Sequence, residues 1–337
     1  MRKIRIAQIG MNVHSHGLQV FETLKARPDL FDIVGYTLVE NEREECPEKR
    51  LRVFDGYPEL SLEEILNDPT IEAVTVETDE IHLTKYAQLA IDHGKHIHME
   101  KPGSPSLADF ERLVESARAT ERIFHVGYMY RYNPLIAELL RDVREGKLGE
   151  IYGVEAQMNC YHPKATREWL ATLPGGMMFY LGCHLVDLVL LMQGVPTRIL
   201  PSNKHTLTDG VDSADHSMAV LEYPHGTSFV KTTAVEWGGF QRRQLVVSGS
   251  KGTVELKPLE IVVPGEGSLI TTEEQRYGTS DTWHTLGEHR SCGPIGRYEE
   301  MLSAFAEMVR GERKNPYTYD YELLLFRTLL RCCEENA

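Results

Sequence analysis

No apolar run in the chain approaches the roughly 20 residues that a bilayer-spanning helix needs, so a membrane protein of that kind is not expected. Cysteine is sparse and unpaired in spacing: six residues at 46, 160, 183, 292, 332 and 333, the last two adjacent. That pattern excludes a disulfide framework and a zinc ribbon and points to a reducing compartment, the cytoplasm. Basic residues are in deficit, 36 Lys and Arg against 50 Asp and Glu, for a formal charge of −14. Such a balance argues against a general nucleic-acid surface, which needs a basic face, and favours a small polar or neutral partner. Repeats and low-complexity tails are also missing. The opening MRKIRIAQIG lacks the long apolar stretch and cleavage site of a signal peptide and reads as the start of a strand.

What is present is enough for two domains: 337 residues, 42% of them apolar. The first third alternates strand and helix. KIRIAQI, DIVGYTLV, IEAVTVET, KHIHME and IFHVGY read as strands. Helices are expected over about 17–26, 81–93 with Gly94 as the stop, and 106–120. Ser61 and Glu64 form a capping-box pattern for a further helix. This order predicts an α/β, doubly wound parallel sheet over residues 1–125, with ligands beyond the carboxyl ends of the strands. From about residue 126 the style changes to an α+β domain that runs to 337. LEYPHGTSFVKT and LVVSGSKGTVEL read as hairpins, 264–294 as a loose Gly- and Thr-rich stretch, and 296–311 and 319–335 as closing helices. Its mostly antiparallel sheet presents an open face, which suggests a homo-oligomer, a dimer or tetramer.

Three features fall at strand ends of the first domain. GMNVHSHG, residues 10–17, joins the first strand to its helix, where a pyrophosphate would sit. The expected second glycine of G-x-G-x-x-G is absent, and Asn12 stands there. Asn tolerates positive φ more readily than most residues, so close approach to a phosphate survives; an ordinary turn is the competing reading. His14 and His16 are phosphate contacts or solvated loop histidines. Glu40, past the second strand, suits a ribose diol and would repel a 2′-phosphate, favouring NAD over NADP; in the run ENEREE it is equally a solvated carboxylate. Lys101, directly before Pro102, is an odd charge to place at a strand end, unless it has work there.

In the second domain, LPGGMMFYLGCHLVD places Tyr180, His184 and Asp187 at i, i+4 and i+7 if 178–192 is helical. They would then share one face. Phenol, imidazole and carboxylate in that order are acid–base equipment, although the surrounding apolar run also fits a buried, hydrogen-bonded histidine. Trp169 either stacks on the apolar face of a sugar or lies in the core. His96 and His98 share one side of a strand, but no third ligand is evident and no metal is expected.

Together these segments resemble the Gfo/Idh/MocA family of glucose–fructose oxidoreductases and inositol dehydrogenases. IHMEKPGSPS is similar to its E-K-P segment, LPGGMMFYLGCHLVD to its GG…D-x-G-x-H-x-x-D segment, and VGYMYRYNP to its strand-to-helix junction. The resemblance spans nearly the whole chain. It implies an NAD(P)-dependent oxidoreductase acting on a sugar or polyol carbinol, with Lys101 contacting the reacting hydroxyl, His184 in the catalytic histidine position and Lys101-Pro102 a candidate cis bond. Tyr180 stands where the family has aspartate, so it relays a proton or only shapes the pocket. The cofactor side implied comprises Gly10, Asn12, Val13, His14, Glu40, Thr78, His82, Glu100 and Lys101. The substrate side comprises Tyr130, Arg131, His162, Trp169 and Asp187; Arg131 has a structural ion pair as its alternative, and Asp187 is also a candidate to orient His184. NAD-dependent oxidation or reduction of a secondary hydroxyl is the leading expectation. A redox-neutral glycosidase or lyase with retained NAD and a non-catalytic nucleotide sensor are the alternatives.

Overall fold

The computed structural model describes residues 2–263, 269–279 and 286–334. Two compact units divide it, one of residues 1–128 with 298–326 and one of residues 129–297 with 327–337. The expected division at 125 and 126 places the junction three residues earlier and assigns both closing helices to the second domain. In the structure residues 298–326 are counted with the first unit.

The first unit starts with β1 (Ile4–Ile9), α1 (Gly17–Ala26) and β2 (Phe31–Thr37). Short helices α2 (Glu42–Glu45), α3 (Glu48–Leu51) and α4 (Leu62–Asn67) lead to β3 (Ala73–Val76). α4 carries the capping box, with Ser61 and Glu64 bonded in both directions. Then follow α5 (Leu83–Asp92), β4 (His96–Met99), α6 (Leu107–Ala119) and β5 (Phe124–Val126). The five strands form a parallel sheet in the order β2-β1-β3-β4-β5. β3 is buried at every position, as a strand covered on both faces must be. α10 (Glu299–Val309) sends Leu302, Phe305 and Ala306 into the core formed by Ile4, Ile6, Val20, Phe21 and Phe31.

The second unit contains α7 (Pro134–Arg144), β6 (Ile151–Asn159), α8 (Lys164–Leu170) and α9 (Cys183–Gln193). The strands β7 (Arg198–Lys204), β8 (His216–Tyr223), β9 (Gly226–Thr233), β10 (Gln244–Gly249) and β11 (Gly252–Leu256) follow. Both predicted hairpins form, β8 with β9 and β10 with β11. β12 (Ile261–Val262), β13 (Leu269–Thr271), β14 (Glu273–Tyr277), β15 (Glu288–Ser291) and β16 (Ile295–Gly296) complete the strands. The stretch read as loose therefore supplies edge strands; residues 264–268 and 280–285 of it lie outside the described residues. Eight strands form a sheet in the order β15-β14-β11-β10-β6-β9-β8-β7, antiparallel except for β6 with β9. α9 packs on β6 and β9. α11 (Tyr319–Cys332) closes the described chain. The α+β expectation agrees with this sheet, and no helix among the described residues is long and apolar enough to cross a membrane.

Candidate active site

In the first unit the carboxyl ends of β1, β3 and β4 gather most of the predicted residues. Gly10 ends β1 with φ +89°, and a Cβ there would come within 2.8 Å of the Thr78 backbone nitrogen. Only glycine fits that approach. The loop beyond it is held from below. Gln8 Nε2 donates to the carbonyls of Gly10 and Gly17, at 3.0 and 3.2 Å. Asn12 donates its backbone N–H to the Glu77 carbonyl and accepts the His14 N–H on Oδ1 at 2.8 Å. Asn12 is not among the residues with positive φ, so its amide, rather than a left-handed backbone, shapes the turn. Val13 is exposed, and His14 is half-buried with its pKa lowered by burial.

Glu42 was hidden in the charged run after β2. It is buried, and its Oε2 accepts the N–H groups of Met11 and Val39, both at 3.0 Å. Two loops at the sheet end are thereby tied to one carboxylate. No periodicity distinguishes Glu42 from its solvated neighbours; only the fold reveals it.

Glu40 has φ +50° and stays partly open to solvent. Its Oε1 accepts from Lys85 Nζ at 2.6 Å and from Tyr86 Oη at 2.7 Å, with His82 Nδ1 3.8 Å away. The Lys85 bond, then the Tyr86 bond, holds its pKa below the usual value. These contacts answer the alternative of simple solvation: Glu40 is placed by a cation and a phenol.

Lys101 is 1% exposed, although it sits at a strand end. The Lys101–Pro102 bond is cis. Lys101 Nζ lies 3.4 Å from Glu100 Oε1 and 3.8 Å from Glu80 Oε1. His16 Nδ1 meets the Glu100 carboxylate at 3.1 Å, joining the β1–α1 loop to this cluster and placing His16 away from the role of a solvated loop residue. Thr78 is buried against Gly10. His98 is fully buried, with Nδ1 2.8 Å from His125 Nδ1, and burial lowers its pKa to about 4. His96 accepts the Ile123 N–H. Both are structural strand histidines; among the described residues no group of three side chains is arranged to hold a metal.

In the second unit, residues 178–182 form a π-turn, and α9 begins only at Cys183. The expected regular helix over 178–192 is thus replaced at its start by a wider i→i+5 turn. The Tyr180 ring meets Trp169 edge-on at 5.1 Å and His162 at 6.0 Å, whereas the His184 ring meets Tyr130 edge-on at 5.1 Å. Trp169 is half-buried against Tyr180 rather than sealed in the core. Asp187 is taken up by Arg131, with bonds of 2.8 and 2.9 Å to its two oxygens and both side chains 1% exposed. The ion pair named as the alternative for Arg131 is thus present, with Asp187 as its partner.

Tyr130 rests on a network that sequence reasoning missed. Its hydroxyl is 3.5 Å from Arg243 Nη1, and Glu260 bonds Arg243 at 2.5 Å and Arg297 at 2.9 Å. Burial, then the Glu260 charge, raises the Tyr130 pKa. These partners come from three separated segments, and no motif links them. Arg167, fully buried, bonds the carbonyls of His162 and Thr208 and pairs with Asp209, fixing the segment that carries His162.

The first unit thus presents a glycine-backed loop opening the ten-residue α1 and a placed acid at Glu40, features suited to a dinucleotide, and separately a buried cation at Lys101. Residues 4–128 match the family described as an oxidoreductase family with an NAD-binding Rossmann fold, and residues 136–255 match the GFO/IDH/MocA C-terminal domain. The uncharacterized oxidoreductase YdgJ of Escherichia coli is 25% identical over 269 residues, 75% of each chain. The NADP-dependent scyllo-inositol 2-dehydrogenase IolW of Bacillus subtilis is 27% identical over 180 residues, 53% of this chain and 48% of its own. Among solved structures, a 3-ketoreductase of Actinomadura kijaniata in complex with NADP and TDP-benzene superposes with a TM-score of 0.76 at 17% identity, covering 97% of this chain and 96% of that one. At that identity the likeness shows the fold. The two matched regions, one in each unit, assign this chain to the Gfo/Idh/MocA family of oxidoreductases, with an NAD(P)-binding Rossmann fold in its first unit.

Proposed function

We propose that the protein is an NAD-dependent dehydrogenase or reductase acting on a secondary hydroxyl of a sugar, polyol or glycoside. Lys101 carries the reading: a cation buried at the end of β4, immediately after Glu100 and before a cis proline. A lysine serving only solubility has no reason to be desolvated there. Its ammonium lowers the pKa of a carbinol and stabilises the developing alkoxide; the family resemblance implies His184 as a further acid–base group. Gly10, Asn12 and the start of α1 would hold the pyrophosphate, and Glu40 the ribose. Bound there, the nicotinamide supplies the hydride acceptor or donor. Trp169, Tyr180 and His162 offer the aromatic wall on which the apolar face of a sugar ring stacks.

Glu40 supports NAD over NADP, because a carboxylate repels a 2′-phosphate. NAD should bind at least about tenfold more tightly than NADP, a difference of about 1.4 kcal/mol, and Glu40→Ala should narrow the gap. Equal affinities in the unaltered protein would remove this part of the reading.

A cytoplasmic homo-oligomer built on the second sheet belongs to the same proposal. Leu200, Val220 and Phe229 are paired across β7, β8 and β9, on the side opposite the buried Ile199, Leu221 and Val230. Sedimentation of the purified chain tests it; a monomer at micromolar concentration counts against it.

The activity is tested on the purified protein without added cofactor. Any nucleotide released on denaturation is identified, and intact protein is mixed with scyllo-inositol, D-xylose and a panel of glycosides while nicotinamide absorbance is followed. Many turnovers with added NAD are expected. A retained nucleotide that changes in one turnover only would shift the reading to a redox-neutral cycle. Failure to bind any nicotinamide nucleotide would overturn it.

A further inference from the structure

Two buried carboxyls face one buried ammonium at the end of β4, with a third, Glu77, buried upstream, and the reaction as described uses only the ammonium. Glu80 Oε1 and Glu100 Oε1 approach Lys101 Nζ at 3.8 and 3.4 Å. Glu100 is additionally held by His16. Glu80 is not so held: its side chain is 0% exposed, and neither oxygen accepts a hydrogen bond. Glu77, just upstream, is buried in the same way. A desolvated carboxylate without donors is costly unless a charge compensates it or a proton neutralises it. With His16 on Glu100 and one ammonium for the rest, burial favours a proton on Glu80 or Glu77.

We propose that Glu80 is the proton partner of Lys101, a positioning residue that takes a proton from the lysine and returns it, so that the pair performs the acid–base step. The proposal rests on the reading of Lys101 as the acid–base group. In the oxidation direction the Lys101 ammonium first passes a proton to the Glu80 carboxylate, leaving a free amine. A nicotinamide held by Gly10, Asn12 and Glu40 would accept the carbinol hydrogen with its two electrons, and the hydroxyl proton released in that oxidation passes to the Lys101 amine. The extra proton rests on Glu80 until it ionises to water. In reduction the same proton runs back through Lys101 to the oxygen.

The groups facing Glu80 are consistent with this role. Burial raises its pKa to about 8, against the opposing pull of Lys101, with Glu100 and Asp79 adding to the rise. Glu77 is raised by burial and by Glu100, with Lys101 and Arg50 opposing. His98 Nε2, 3.8 Å from Glu77 Oε1, belongs to a ring that stays neutral. No other cation is placed within ion-pair distance of Glu80 among the described residues.

The test follows carboxyl titrations by NMR in the full chain labelled with carboxyl-13C glutamate. A resonance titrating above pH 7 is expected, and it should vanish in Glu80→Gln. In Lys101→Met the same resonance should titrate about 1–3 pH units higher, because its cation is gone; this variant decides the matter if Glu80→Gln does not fold. A midpoint in the ordinary carboxylate range, or one that Lys101→Met does not move, overturns the proposal. With NAD and whichever sugar of the panel turns over, Glu80→Gln should lower kcat about tenfold or more and erase one limb of its pH profile. An unchanged profile beside an intact high titration also overturns it, since the carboxyl would then be structural. If no sugar turns over, the proposed function fails, while the titrations still report on the pair.

Discussion

A single side chain, Lys101, carries most of the chemistry ascribed to this protein. Lys101→Met keeps the length of the side chain and removes its charge. The expected result is a loss of at least about 100-fold in kcat with NAD affinity largely unchanged. Titration calorimetry with NAD beside steady-state rates checks it, and substantial residual turnover would remove Lys101 from the mechanism. Asp187 belongs to a different class of residue. Its carboxylate receives two bonds from the buried Arg131, so Asp187→Asn removes the charge that faces a desolvated guanidinium. A loss of about 3–5 kcal/mol in unfolding free energy is expected. Urea unfolding of the variant reads it directly, and a change below about 1 kcal/mol would show that the pair is not structural.

At the scale of elements, the parallel half was legible from the chain and the site's second half was only partly so. Helix α1 spans the residues anticipated from its pattern, and Ser61 and Glu64 form the box that their spacing announces. Local signals suffice there because caps and strand periodicity act over a few residues. The turn from Met178 to Gly182 was not legible, because one irregular hydrogen-bonded turn leaves no trace in hydrophobic periodicity. Within this turn Tyr180 meets the Trp169 ring edge-on. Glu42, Arg243 and Glu260 escaped notice for a related reason: their partners are distant in the chain, and as isolated charged residues they look solvated. The entry to this turn depends on Gly176, whose φ is +47° and whose Cβ position lies 2.4 Å from the Ala214 carbonyl oxygen. Gly176→Ala combines a left-handed backbone with a clash against main chain. It should cost about 2 kcal/mol or more, read as a lowered thermal midpoint, with kcat falling because Tyr180 and His184 are displaced. A variant as stable and active as the parent would show that the turn entry tolerates a side chain.

For the whole molecule, two sets of buried groups give stability opposite dependences on pH. His98 has a folded pKa near 4 against an ordinary 6.5. Its contribution is present above pH 6.5 and is lost as pH falls from there towards 4; His96 acts likewise. Glu80 has a folded pKa near 8 against 4.5. Its contribution is present below pH 4.5 and is lost as pH rises from 4.5 to 8. The two oppose each other below pH 6.5, and between 6.5 and 8 the carboxyl acts without opposition from the histidines. Unfolding free energy should therefore decline by about 2 kcal/mol over that interval. Denaturant melts at a series of pH values check it: Glu80→Gln should make the decline shallower, leaving the share of Glu77, and an equally steep decline in that variant would locate its cause elsewhere.

The placement of α10 in the first unit also bears on synthesis. Leu302, Phe305 and Ala306 close the core around Phe21 and Val20, yet residues 129–297 must be made before them. At ribosomal speeds of about 5–20 residues per second, that interval lasts about 10–30 s. Throughout it the nascent nucleotide-binding half carries an uncovered apolar face, long enough for a chaperone to find it and long enough for two neighbouring chains on one message to find each other.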